Sequence, residues 1–396
     1  MGISTLLRFL IGDRSAILAI AVQPRAWVTG LVFVLSAGFA REYDSEDLLH
    51  EPWYLLVPLA ASLGSSFLLF GVLYGVTALR ETSGPSFPRA YRAFLTLFWF
   101  TAPLAWLYAI PYERFLDAVA ATRANLYTLA LVSAWRVALM MRVAVVLMGM
   151  RPLAAFSRVL AYSSGLALVA INFLPFPIIE IMGGVHVTGA DRVVQSAAQL
   201  VGCFGPLLFV VCLVLALGIR PRPHWQVSLD SHVQQATLSI PLKLLACASL
   251  ATWIGILPLT QAEQRLRRRV EVAFRDGQLA DALDLMSAHE PEEFPPQWEP
   301  PPRFLKGEDP ALVLDVWVEM LKKKPAPWVQ GRYMARIKNY LRSGHGDDEK
   351  TASMINRLPG KPALLQQLAR DPQWQWYLER LDSHLRPELR INKNGG

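Results

Sequence analysis

Residues 197–218 read AAQLVGCFGPLLFVVCLVLALG and contain no charged side chain. A helix needs about 20 apolar residues to cross the hydrocarbon core of a bilayer, so this stretch predicts a membrane-spanning helix. Six further apolar runs lie on either side of it. We therefore predict an all-α fold, a polytopic transmembrane helix bundle of about seven spans: Trp27–Ala40, Tyr54–Leu79, Phe94–Ile110, Tyr127–Met150, Leu160–Gly184, Ala197–Gly218 and Ile240–Leu259.

The composition of the chain supports this fold class. Hydrophobic residues make up 53% of the 396 residues and charged residues 18%, whereas a soluble domain is about 45–50% apolar and about a quarter charged. These values exclude a disordered chain, and the grouping of the apolar residues into long runs excludes an all-soluble enzyme. The three cysteines all lie in apolar runs, so no disulfide framework is predicted.

The chain changes character near Thr260, because the first 260 residues hold 29 charged side chains and the last 136 hold 42. We therefore expect a small C-terminal soluble α-helical domain after the bundle. The predicted organisation is an interfacial N-terminal segment at 1–25, a transmembrane helical domain at 26–260, a helical hairpin at 261–290, a Pro-rich connector at 291–308, and a small α-helical domain with a flexible tail at 309–396.

The hairpin is predicted from apolar residues at three- and four-residue spacing in Gln261–Phe274 and Gln278–His289. Asp276 and Gly277 form the turn between them. This pair resembles one tetratricopeptide-type hairpin, although no second copy follows at a fixed period. Further helices are predicted at Ala311–Leu321, Trp328–Leu341, Lys361–Ala369 and Trp374–Leu385.

Loop arginines predict the orientation. With the N-terminus inside, the inner loops hold ten arginines and the outer loops four, which favours a cytoplasmic N-terminus. Seven spans then place residues 261–396 on the outer side of the membrane, which is the plasma (inner) membrane if the source is bacterial. Arg265 and the run 267–269 favour the opposite, because four arginines directly after the last span indicate a cytoplasmic C-terminal region. We expect the outer placement, since Lys243 lies at the inner mouth of the seventh span.

The sequence contains no recognisable set of catalytic residues. No phosphate-binding loop, zinc-protease motif or nucleophile elbow is present. Ser163 and Ser164 suggest an intramembrane serine protease, but the histidine nearest in sequence, His186, is expected at the opposite membrane face. We therefore expect no catalytic residue, no metal site and no cofactor. The pI of about 9.4 does not indicate a nucleic-acid partner, because the basic excess lies in short loops.

Arg136 is the most informative single residue, because it lies near the middle of the fourth predicted span. A charge there costs at least about 2.5–3.5 kcal/mol and requires a partner or water. The depths of the spans suggest one buried polar cluster of Arg136, Asn172 and Glu180. It is either a static clamp between two helices, which the sequence favours, or a transport site. Arg142, nearer the inner end, is expected to direct its guanidinium toward the headgroups.

Gly71 and Gly75 form a Gly-x-x-x-Gly step in the second span. Small residues at this spacing let two helices approach closely. The step therefore predicts a helix contact, either within the protein or between protomers.

These features favour a non-enzymatic integral membrane protein that anchors a helical interaction domain, with the lipid bilayer and a protein bound through residues 261–396 as partners. The alternatives are a transporter or permease subunit that uses the Arg136 cluster and, third, a membrane enzyme acting on lipid or peptide. No motif names a family, but an interfacial helix followed by several spans is similar in outline to Yip1-type membrane proteins.

Overall fold

The computed structural model describes residues 1–78, 85–172, 189–219, 225, 238–303 and 312–342. Within these residues all regular structure is helical and no strand occurs, so the predicted all-helical fold is confirmed. The α-helices are α1 (Ile3–Leu10), α2 (Arg14–Ala21), α3 (Ala26–Glu42), α4 (Leu56–Ala78), α5 (Phe87–Trp99), α6 (Ala118–Met148), α7 (Pro152–Asn172), α8 (Gly189–Gly218), α9 (Ile240–Arg275), α10 (Leu279–Ser287), α11 (Leu312–Lys323) and α12 (Pro327–Arg342).

Six of the described helical stretches are long and apolar enough to cross a membrane: Pro52–Gly75, Phe87–Arg114, Ala118–Met148, Pro152–Ile171, Gly189–Gly218 and Ile240–Arg275. A seventh arises if α2 and α3, which meet at 106°, count as one broken span. The membrane character of the chain is therefore supported. The prediction of seven spans depends on α3, which alone has 17 residues.

The chain divides into two compact units, the first comprising Met1–Phe173 with Val193–Gln264 and the second Leu174–Arg192 with Arg265–Gly396. The boundary predicted between residues 260 and 261 falls inside α9, because that helix runs unbroken from Ile240 to Arg275. The predicted seventh span and the first helix of the predicted hairpin are thus one element.

The N-terminal segment, expected as a helix in the membrane interface, consists of the two short helices α1 and α2. The Asp13 carboxylate caps α2 by accepting from the backbone N–H of Ala16 at 2.9 Å. Phe9 and Ile17 are fully buried in the hydrophobic core of the first unit. The segment is therefore part of the bundle.

The third span changes its helical form midway. α5 ends at Trp99 and a 3₁₀ segment follows at Ala102–Ala109, because Pro103 cannot donate a backbone hydrogen bond to an α-helix. This span packs along α3. Phe33 of α3 meets Phe100 edge-on at 5.8 Å between ring centroids, and Trp106 donates to Ser36 Oγ at 3.1 Å.

The first unit has two recognisable ends. The backbone N–H of Ser239 donates to Met1 O at 2.8 Å just before α9 begins, and Thr260, about 30 Å further along α9, donates to Tyr43 O after α3 has ended. We call these the Met1 end and the Thr260 end. α6 begins at the Thr260 end, since Tyr43 also bonds Ala109 O, nine residues before α6.

The second unit has a hydrophobic core of its own. The turn at Gly277, with φ of 74°, brings α10 back against the last part of α9, and this core also includes Val316 of α11 and Tyr333 of α12. The Pro-rich connector, expected to be extended, has no α-helix in its described part but is packed into the same core. Trp298 stacks on Phe294 at 4.7 Å, and Tyr333 donates to Pro301 O at 2.7 Å. The predicted helices at 361–369 and 374–385 lie outside the described residues.

Candidate functional site: a polar cavity in the bundle

Arg136 lies deep in α6, about 27 Å from Ala118 and about 18 Å from Met148 along the helix axis. Asp117 fixes the start of that helix by accepting from the backbone N–H groups of Val119 and Ala120. The long helix therefore carries Arg136 into the middle of the bundle.

The third span supplies the contacts of Arg136. Its Nε donates to Thr101 Oγ1 at 3.1 Å, and its guanidinium carbon lies 5.1 Å from the ring centroid of Phe98. The Thr101 hydroxyl itself donates to Phe98 O at 2.7 Å, so its oxygen is free to accept. Thr101 lies between α5 and the 3₁₀ segment, and the change of helical form places it opposite α6.

Among the residues that the structure describes, no carboxylate forms an ion pair with Arg136. The titratable group that interacts electrostatically with it is the Tyr108 phenol. A hydroxyl and an aromatic face stabilise a cation less than a carboxylate does. The positive charge is therefore only partly compensated by these neighbours.

Arg136 is half-buried because it lines an open cavity of about 460 Å³ bordered by α3, α4, the third span, α6 and α7. This volume lies within the range of about 300–1,000 Å³ that is typical of ligand sites. Most of the lining is apolar. Its polar members, besides Arg136, are Arg41, Ser62, Ser65, Tyr108, Ser133, Tyr162 and Ser163.

Some of these polar groups are engaged in helix packing. Tyr162 of α7 donates to Ser65 O of α4 at 3.0 Å, and Ser62 Oγ accepts from Trp99 Nε1 at 3.0 Å. Arg41, with an exposed side chain, lies 3.3 Å from the Glu42 carboxylate. Of the remaining polar groups, Ser133 lies one helical turn before Arg136 on α6, and the Tyr108 phenol interacts with Arg136 electrostatically.

Of the predicted cluster of Arg136, Asn172 and Glu180, the structure describes the side chain of Arg136 alone. Asn172 is the last residue of α7 and its side chain lies outside the description, as does all of Glu180. α7 begins at Pro152, eight residues before the predicted start of this span, so Asn172 lies about 30 Å from the start of α7. Ser163, which lines the cavity, is closer to the depth of Arg136. The cluster stays a prediction.

Sequence reasoning missed the groups that actually contact Arg136. Thr101 and Tyr108 are seven residues apart in a predicted span whose other hydroxyl side chain is Thr96, and seven residues is the spacing of one helix face. That polar pair was the available signal. Arg142, expected to reach the headgroups, donates from Nε to Gly12 O at 3.1 Å and so joins α6 to the end of α1.

A second polar region lies at the Thr260 end, in the segment that follows α3. Burial, with Glu113 nearby, raises the pKa of Asp44 to about 6. Asp47 is 1% exposed and its carboxylate lies 2.8 Å from His50 Nδ1. Within the described ranges no group of three His, Cys, Asp or Glu side chains is placed to hold a metal ion.

α9 holds this acidic segment in place. The side-chain amide of Gln261 donates to Glu46 O at 3.2 Å and accepts from the Leu49 N–H at 3.1 Å. Gln264 donates to Asp44 O, and Glu263 pairs with Arg114 at 2.9 Å. The polar residues after the last apolar stretch are therefore structural contacts of the bundle.

Gly71 and Gly75 of α4, predicted to mark a close helix contact, have open space where a Cβ would lie. A contact within the chain is therefore not seen at these two positions among the described residues. A contact between protomers stays a prediction.

Searches against models of protein families, curated proteins and solved structures find no match to this chain. The similarity in outline to Yip1-type membrane proteins accordingly stays an expectation from the sequence. Functional inference rests on the cavity and its residues.

Proposed function

We propose that this chain is an integral membrane protein of the transporter or permease type that binds an anionic solute in the cavity around Arg136. The observation that carries the proposal is an arginine deep in a bundle that lines a cavity and has no described carboxylate partner. An arginine at this depth is costly in lipid and marks a functional position by default.

The alternative of a static clamp is less well supported by the contacts. A clamp between helices needs a second group that compensates the charge, as an ion pair or through several backbone carbonyls. Among the described residues, Arg136 has one hydrogen bond, to a hydroxyl that also donates to Phe98 O. An anion in the cavity supplies the missing compensation, because N–H donors of a guanidinium bind carboxylate and phosphate oxygens strongly.

Thiol labelling tests this proposal. In a chain whose three cysteines are replaced by alanine, Ser133→Cys places a thiol on the cavity wall one helical turn before Arg136. A nearby unit charge is worth about 3–4 kcal/mol at an effective dielectric constant of about 20. We therefore expect an anionic methanethiosulfonate to react more than about tenfold faster than a cationic one, and Arg136→Gln to remove that preference.

Ala134→Cys is the matched control, because Ala134 is exposed on α6 and does not line the cavity. It should show no charge preference that depends on Arg136. An anion site here would be excluded if the Ser133→Cys thiol reacted with neither reagent. It would also be excluded if the charge preference were the same in the presence and absence of Arg136.

A second candidate function is the anchoring of a helical domain for protein contact. It is favoured by the separate core of the second unit, in which α11 and α12 border a groove of about 340 Å³ lined by Trp317, Met320 and Met334. If residues 261–396 form such a domain, the purified fragment should unfold cooperatively, with coincident circular dichroism and tryptophan fluorescence transitions, and should bind a partner. Non-coincident transitions would argue against it.

A further inference from the structure

The groups that flank Arg136 differ between the two sides of the cavity. Tyr108 and Ser133 lie on the Thr260 side of Arg136, because the third span ends and α6 begins there. Toward the Met1 end the lining includes the apolar side chains of Leu69, Met140 and Val159, each no more than 3% exposed. A ligand that matches this wall has a charged group and an apolar body.

The cavity is long enough for part of one acyl chain. Its lining on α7 extends from Val159 to Ala170, which is about 16 Å along the helix axis. At about 30 Å³ for a group of the size of a water molecule, 460 Å³ holds about fifteen such groups. This is room for a carboxylate and about twelve chain carbons, and the rest of a longer chain extends from the cavity into the bilayer.

The cavity opens where α4 and α7 face the lipid. Ala61, Leu166 and Ala170 line it and are exposed, and the neighbouring Phe67 and Val169 are 52% and 53% exposed apolar side chains. In a bilayer those surfaces are in contact with acyl chains. A molecule dissolved in the membrane therefore reaches the cavity without crossing water.

We propose that the ligand is a single-chain amphiphile with an anionic headgroup, of the fatty-acid class, that enters from the bilayer between α4 and α7. This rests on the proposed function, because it requires an anion at Arg136. The headgroup accepts from the Arg136 guanidinium beside Tyr108, and the first part of the chain lies against Met140 and Val159. Because such a molecule partitions into the bilayer, it is concentrated at this opening, whereas a small soluble anion stays in water.

Competition binding on the full chain in lipid nanodiscs tests this, with radiolabelled oleate as the probe. Unlabelled oleate should displace the probe, whereas acetate, inorganic phosphate and the uncharged oleyl alcohol should not. Arg136→Gln, which removes the charge, and Met140→Trp, which fills the cavity toward the Met1 end, should each weaken oleate binding by at least about tenfold. Arg136→Lys retains the charge and should bind oleate more tightly than Arg136→Gln. Ala134→Trp lies outside the cavity and should bind like the parent chain.

The outcomes separate the two proposals. If acetate or phosphate displaces the probe and Arg136→Gln abolishes binding, the anion site stands and the amphiphile inference is overturned. If oleyl alcohol competes as well as oleate, or Met140→Trp and Ala134→Trp bind alike, the amphiphile inference is also overturned. If neither oleate nor the soluble anions bind and Ser133→Cys shows no charge preference, both proposals fail. Should Arg136→Gln not fold, the competition series on the parent chain with Met140→Trp decides.

Discussion

Arg158 is a buried arginine whose guanidinium is held by several backbone carbonyls, in contrast to Arg136. It lies in α7 and is 3% exposed. Its Nη1 donates to Ala154 O at 3.0 Å, and its Nη2 donates to Ala216 O at 2.8 Å and Ile219 O at 3.1 Å. The last two carbonyls belong to the end of α8, where carbonyls lack helical partners and favour a positive charge. Arg158 is therefore a structural cap.

Replacement of this cap should destabilise the protein. Arg158→Ala removes hydrogen bonds to a charged group that are worth about 1.5–3 kcal/mol each. A net loss of about 2 kcal/mol lowers the melting temperature by about 4–8 °C, which a thermal unfolding assay of the detergent-solubilised protein measures. Arg151→Ala, an exposed arginine just before α7, is the control and should melt like the parent. Equal melting temperatures for the two variants would show that the cap contributes nothing.

Asp44 gives the protein a pH dependence. The pKa of its carboxyl is raised to about 6, chiefly by burial and then by Glu113, while Arg114 opposes and Glu42 adds to the shift. An acid whose pKa is raised in the folded state holds its proton there after the unfolded chain has lost it, so unfolding becomes easier as pH rises from about 4 to about 6. The contribution of the Asp44 carboxyl to the stability of the folded state is therefore greatest below pH 4 and is lost above pH 6.

Asp44→Asn removes this titration. We expect the variant to melt at a higher temperature than the parent at pH 7.5. Its melting temperature should also not show the parent's decrease between pH 4 and pH 6. Melting temperatures measured across that range check the expectation. An unchanged profile would mean that the Asp44 carboxyl does not titrate differently in the folded and unfolded states.

Two glycines, one on α7 and one on α8, allow these helices to pack closely. Only 6% of its apolar stretch is buried, and its contact with α7 is close at two points. A Cβ at Gly165 would lie 3.1 Å from Phe209, and a Cβ at Gly205 would lie 3.0 Å from Leu168. Because glycine has no side chain, these two positions let the helices approach as small residues do elsewhere in membranes.

Substitution by a larger side chain should have different effects on stability at the α7–α8 contacts and at the Gly71 step of α4. Gly165→Leu forces α7 and α8 apart and should lower the melting temperature, whereas Gly71→Leu meets open space within the chain and should change stability by no more than about 0.5 kcal/mol. Thermal unfolding compares them. A loss of stability in Gly71→Leu together with a change in its oligomeric state by size-exclusion chromatography would locate that step between protomers instead.

At the scale of the whole molecule, the contacts of α9 fix the direction in which the chain leaves the first unit. Met1 lies beside Ser239 at one end of α9, and Gln264, the last residue of the first unit, bonds to Asp44 at the other end. The distance from Ile240 to Gln264 along α9 is about 36 Å, which is enough to cross a bilayer core of about 30 Å. The N-terminus and Gln264 therefore lie at opposite ends of this unit.

A topology measurement tests whether the membrane preserves this arrangement. A reporter active only in the cytoplasm should work when fused before Met1 and should be inactive when fused after Gly396. This is the outcome expected for seven crossings and a cytoplasmic N-terminus. Activity at both termini would instead indicate six crossings, with α2 and α3 remaining on one side.

The sequence by itself determined that the described part of the chain is helical, that it has helices long and apolar enough to cross a membrane, and that Arg136 lies deep in one of them, since these features depend on local properties. The uncharged run of residues 197–218 is long enough to span a bilayer whatever its neighbours are. It also located the start of α9 and the turn at Gly277, where a positive φ favours glycine.

Only the tertiary structure decided which side chains meet. Arg136 meets Thr101, 35 residues away, and Arg158 reaches carbonyls 58 and 61 residues away. These contacts depend on the rotation and depth of each helix, which a uniformly apolar sequence leaves open because almost every face is compatible with lipid. For the same reason the Pro-rich connector could not be recognised as part of a core from its composition, since its buried contacts come from Phe294, Trp298 and the distant Tyr333.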